Sequence, residues 1–75
     1  MENKEKARAL FMALSKLPEQ QRIAFLLIKS DGLSYQETSE IMNKSIKSLE
    51  GLIQRAKENL KLQLNNFYKN HWANE

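Results

Sequence analysis

Groups able to attack, shuttle protons or hold a metal are scarce in this 75-residue chain, which has no cysteine and a single histidine. That histidine, His71, stands beside Trp72 with no spaced set of ligands around it, and the chain has no glycine-rich phosphate loop. The chain reads as no enzyme, with neither a metal nor another cofactor. A different chemistry is concentrated between residues 47 and 55. Lys47, Ser48, Gly51, Gln54 and Arg55 recur at steps of one and three. At about 100° per residue they share one side of a helix, with Glu58 beyond them. Long hydrogen-bonding side chains beside a position with no side chain suit the major groove of DNA. Glutamine can pair bidentately with adenine, while lysine and arginine can reach guanine or a phosphate. Lys47, Ser48, Gly51 and Gln54 are the base-reading candidates, and Arg55 is a phosphate candidate.

Any amphipathic helix has a solvated polar face, so this reading needs elements that aim it. The stretch "IMNKS", residues 41–45, supplies them. Apolar residues at helical spacing run to Met42, stop for three polar residues and restart at Ile46. Asparagine tolerates the left-handed conformation well, so Asn43 marks a sharp reversal. Lys44 completes the link and Ser45 is a good N-cap for a further helix. The expectation is a helix over 35–42, a turn at Asn43, Lys44 and Ser45, and a long helix over 46–69. That is a helix-turn-helix, whose second helix places its N-terminal residues against base edges. A generic helical hairpin has the same outline.

The rest of the chain offers almost nothing to a sheet. A first helix over 4–16 is expected to bury Ala7, Leu10, Phe11, Leu14 and Leu17. Pro18 suits the first position of a second helix over 18–30. Its stripe is Ile23, Ala24, Leu27 and Ile28, broadened by Phe25 and Leu26, and Asp31-Gly32 ends it with a left-handed glycine. Ser34-Tyr35-Gln36-Glu37 fits a capping box at the start of the third helix, with Tyr35, Thr38, Ile41 and Met42 inward. The fourth helix presents Ile46, Leu49, Ile53, Ala56, Leu60, Leu64 and Phe67 to the core. The fold class expected is all-α, a four-helix domain with a C-terminal helix-turn-helix and a long recognition helix.

The start of the third helix adds an anchor. Free N–H groups at Tyr35 and Gln36 can receive a phosphate. The Ser34 and Tyr35 hydroxyls and Lys44 are expected close by, so the phosphate candidates are Ser34, Tyr35, Gln36, Lys44 and Arg55. Glu50, at one flank of the reading face, repels phosphates unless it accepts from a cytosine amino group. Leu52, at the other flank, reads as half-buried or reserved for a protein partner. The net charge of +3 lies wholly after residue 42, because six bases balance six acids before it. A basic segment attracts nucleic acid or an acidic protein. No apolar run approaches the roughly 20 residues of a membrane span and no signal peptide is evident, so the expected location is the cytoplasm.

With these elements placed, the chain resembles region four, the C-terminal promoter-recognition domain, of bacterial sigma factors of the extracytoplasmic-function type. The matching residues are Ala13-Leu14-Ser15-Lys16-Leu17-Pro18, Arg22 and Phe25, then Gly32-Leu33-Ser34-Tyr35-Gln36-Glu37 and Ile41-Met42-Asn43-Lys44-Ser45. Lys47-Ser48-Leu49-Glu50, Arg55-Ala56-Lys57 and Leu60 complete the series, which spans roughly residues 10–64. The resemblance implies a winged-helix-like fold without a wing. It also implies binding to double-stranded promoter DNA at the −35 element, as a subunit of RNA polymerase. The domain would dock on the flap of the polymerase β subunit, and an anti-sigma factor would occupy the same surfaces. Departures are Thr38-Ser39 for the more usual Ile-Ala and Asn43 where glycine is common. Glu50, Gly51 and Leu52 stand where many members carry basic or polar residues, so no general base preference transfers. The family's other conserved domain has no counterpart here, so residues 1–75 are expected to be one domain of a longer protein. The rivals are a protein-interaction module, docking through Phe67, Tyr68 and Trp72, and the DNA-binding domain of a response regulator. The latter shares the helix-turn-helix without the "ALxxLP" lead-in.

Overall fold

The computed structural model describes residues 2–72, with side chains described over 4–67, and its path follows the breaks in the sequence. Four helices occur, with no strand among the described residues: α1 (Glu2–Ser15), α2 (Glu19–Phe25), α3 (Tyr35–Met42) and α4 (Ile46–Trp72). Pro18 precedes α2 rather than opening it. Its ψ of 146° is extended while its carbonyl accepts from the Arg22 N–H at 3.0 Å, the first bond of the helix. The α1–α2 corner is tied by the half-buried Arg22, whose guanidinium donates to the Ser15 carbonyl at 3.5 Å.

The second helix is not α-helical throughout, as its apolar spacing suggests. From Leu26 to Ser30 it widens into a π turn. The Asp31 N–H reaches back five residues to the Leu26 carbonyl, at 3.0 Å. Gly32 then takes φ 74° and ends the element as expected. Five residues are too few for a shifted period to show in the sequence.

Helix α4 is the spine. Its 27 residues extend about 40 Å at 1.5 Å each, which accounts for a long dimension of 46 Å against 21 and 14 Å. Along its inner side Leu49, Ile53, Ala56 and Leu60 are buried. Leu49 and Ile53 join Ala24 of α2, with Phe25, Ile28, Tyr35, Met42 and Leu52 around them. Ala56 and Leu60 join Ala13 and Leu17 at the other end, with Leu14, Phe25 and Leu64 against them. Phe25 belongs to both clusters and makes the core continuous. A polar bridge crosses the helices where the apolar ones do not: Asn59 Nδ2 donates to Gln21 Oε1 at 2.8 Å.

Three apolar expectations are corrected. On α1 the buried side is Ala9 and Ala13, continued by Leu17 just past its end, with Leu14 half-buried, while Ala7, Leu10 and Phe11 face out. Apolar residues cover nearly the whole circumference there. Ala13 and Ala56 share one buried cluster, and side chains that small let two helices approach, which sets the phase. On α3 the buried residues are Thr38 and Ser39, and Ile41 is 63% exposed. Small side chains again face the neighbouring helix. Ile46, at the open start of α4, Ile23 on α2 and Leu26 in the π turn are also exposed rather than buried. Tyr68, His71 and Trp72, singled out in the sequence, have side chains outside the described residues.

Candidate nucleic-acid interface

The corner between α3 and α4 rests on one residue. Asn43 takes φ 55° and ψ 48°, the left-handed conformation, and no other described non-glycine residue has positive φ. Its N–H donates to the Glu40 carbonyl at 3.3 Å and the Lys44 N–H to the Ser39 carbonyl at 3.0 Å. This pair of bonds is the Schellman arrangement, which satisfies the last carbonyls of a helix while turning the chain out of it. Ser45 then starts the next helix, its Oγ accepting from the Ser48 N–H at 3.1 Å. Three residues separate the two helices, as the sequence suggests.

That corner leaves the outer side of α4 open. Lys47, Ser48, Gln54 and Arg55 are exposed and Gly51 is half-buried. Two shallow depressions meet there. One is lined by Lys44, Lys47, Ser48, Gly51, Leu52 and Arg55, the other by Gly51, Gln54, Arg55 and Glu58. Gly51 and Arg55 belong to both. A Cβ placed on Gly51 would lie 3.8 Å from Arg55 Nη1, so the guanidinium rests over bare backbone. The Glu58 carboxylate closes the second depression, one turn past Gln54. It can only accept hydrogen bonds, so it opposes a phosphate and suits an amino group.

All four base-reading candidates and two of the phosphate candidates, Lys44 and Arg55, are therefore brought together. Ser34, Tyr35 and Gln36 lie elsewhere, at the start of α3. The eight residues of that helix, about 12 Å of axial length, lie between them and the turn that carries Lys44. Ser34 is a full capping box: its Oγ accepts from the Glu37 N–H at 3.0 Å and its own N–H donates to Glu37 Oε1 at 2.9 Å. Tyr35 is half-buried against the Ala24–Leu49–Ile53 cluster, and the Gln36 amide donates to Glu40 Oε2 at 3.1 Å. The residue that the sequence pattern left at the margin is Leu52, whose side chain is half-buried and forms part of the cationic depression's wall. Its helical position lies between the core stripe and the reading face, so periodicity alone leaves it on neither. Among the described residues no three His, Cys, Asp or Glu side chains gather as a metal site, and no helix is long and apolar enough to cross a membrane.

A short helix, a left-handed three-residue corner and a long helix with its polar side open define a helix-turn-helix domain of the DNA-binding class. Residues 7–60 match the family model described as sigma-70, region 4, and the chain belongs to that family. It is thus a sigma-factor domain of transcription initiation. No curated protein matches the chain.

Proposed function

We propose that this domain reads the promoter −35 element for a sigma factor of the extracytoplasmic-function type, with α4 in the major groove. Lys47, Ser48, Gly51 and Gln54 face base edges. Arg55 and Lys44 meet phosphates on one stretch of backbone, and the start of α3 at Ser34, Tyr35 and Gln36 meets a separate phosphate about 12 Å away. The observation that carries this reading is the first depression: three cations, a hydroxyl and bare backbone on the open side of α4, directly after the corner. Membership of the family supports a role within RNA polymerase in the cytoplasm, docked on the β-subunit flap, with an anti-sigma factor as a competing partner. Exposed apolar side chains outside the two depressions, Phe11 and Ile41 above all, offer surface for such protein contacts.

Salt dependence of DNA binding tests the proposal. Each phosphate neutralised contributes about −0.9 to the slope of log affinity against log salt. Arg55→Ala is expected to make the slope shallower by about one such step on every duplex tested. Gln54→Ala is expected to relax preference at one base pair by about 1–3 kcal/mol. A slope unchanged by Arg55→Ala and Lys47→Ala alike would remove this side of α4 from the interface.

A further inference from the structure

Five of the six residues around the first depression are polar, charged or without a side chain, and the sixth is Leu52. It is half-buried: it packs against the Ala24, Leu49 and Ile53 cluster and also lines the depression beside Lys44, Lys47 and Arg55. The cations draw a duplex onto this spot, so water must leave the leucine whenever they engage. Most groups that a major groove brings there are hydrogen-bonding edges, which lose hydration against an aliphatic wall and gain no partner. One groove substituent is apolar, the C5-methyl of thymine. Gly51, next in the chain and in the same depression, adds no Cβ of its own, so once the Arg55 guanidinium above it turns to a phosphate nothing at this position holds a base edge away.

We propose that Leu52, with the bare backbone at Gly51, seats the C5-methyl group of a single thymine and is a specificity-determining residue of this domain. The proposal rests on the proposed function, in which α4 lies in the major groove. It differs from the hydrogen-bond readout by Lys47 and Gln54, since it selects for a methyl group and against polar edges.

The test alters the DNA before the protein. The full 75-residue chain is used to select duplexes from a randomised pool, and each thymine of the selected site is replaced in turn by deoxyuridine, which removes only the methyl. Replacement at one position is expected to weaken binding about fourfold, the effect of withdrawing one buried methyl, with little change elsewhere. Leu52→Met should keep that sensitivity, and Leu52→Ala and Leu52→Gln should abolish it. A selected site without thymine, indifference to deoxyuridine at every position, or sensitivity undiminished in both Leu52→Ala and Leu52→Gln would overturn the proposal while leaving DNA reading intact. A pool from which nothing is enriched would overturn DNA reading itself. The deoxyuridine scan needs no substituted protein, so it can overturn the proposal even if a variant fails to fold, and Leu52→Met, close to leucine in volume, keeps the assignment to Leu52 testable.

Discussion

Thr38 and Asn43 show two ways in which one residue bears on this fold. Thr38 is fully buried, and its Oγ1 has no hydrogen-bond partner. A buried hydroxyl without a partner costs about 1–3 kcal/mol, whereas its methyl packs like that of valine. Thr38→Val keeps the shape and removes the unmet group, so it is expected to raise stability by about 1 kcal/mol, read as a higher denaturation midpoint at unchanged slope. A loss of stability would mean that the hydroxyl has a partner in solution. Asn43 carries the opposite burden, since its left-handed backbone is what turns α3 into α4. Asn43→Gly is expected to be neutral or mildly stabilising. Asn43→Val, β-branched at positive φ, should cost at least about 1 kcal/mol. The same denaturation curves check both, and equal effects would remove backbone conformation as the reason for asparagine here.

At the scale of elements, α4 serves two surfaces with one sequence, and Gly51 is where their needs conflict. Glycine inside a helix costs about 1 kcal/mol relative to alanine. A Cβ at 51 would meet nothing nearer than Arg55 Nη1 at 3.8 Å, an ordinary contact. Gly51→Ala is therefore expected to stabilise the free domain by about 1 kcal/mol and to weaken its binding to a selected duplex, by narrowing both depressions that the glycine joins. Stabilisation with unchanged affinity would leave Gly51 outside the interface. The same element shows what sequence can and cannot say. The stripe Leu49, Ile53, Ala56 and Leu60 was legible because one narrow apolar line runs through polar residues. The caps at Ser34, Asn43 and Ser45 were legible because their hydrogen bonds are local. The phase of α1 was not, because apolar residues surround it and only contact with α4 selects Ala9 and Ala13. The π turn at Leu26–Ser30 and the Asn59–Gln21 bridge were equally hidden, one too short for a period and the other joining residues 38 apart. Of the candidate site, the open side of α4 followed from periodicity. The spacing of Ser34 from Lys44 followed as well, from the eight residues expected in the helix over 35–42.

Across the whole molecule, most of the core and most of the proposed reading face are separate, Leu52 and Tyr35 excepted, and α1 makes the division testable. Its inner side is alanine and leucine against α4, and its outer side carries Phe11, 71% exposed and remote from the corner between α3 and α4. An aromatic ring so placed contributes little to the core, so Phe11→Ser is expected to change stability by no more than about 0.5 kcal/mol. The same substitution leaves Lys44, Lys47 and Arg55 where they are, so affinity for a selected duplex and its salt slope should also hold. What should fall is association with core RNA polymerase, because a central aromatic anchor in a protein interface commonly accounts for about 2 kcal/mol or more, roughly 30-fold in affinity. Denaturation, duplex titration and polymerase binding on this one variant thus separate three properties that a single compact core would mix. Unchanged polymerase binding would move the protein-docking face off the outer side of α1, with Ile41 at the edge of α3 the next exposed apolar position to substitute. A fall in DNA affinity would instead mean that α1 and the reading face are coupled through α4, and that the long helix transmits what happens at its far end.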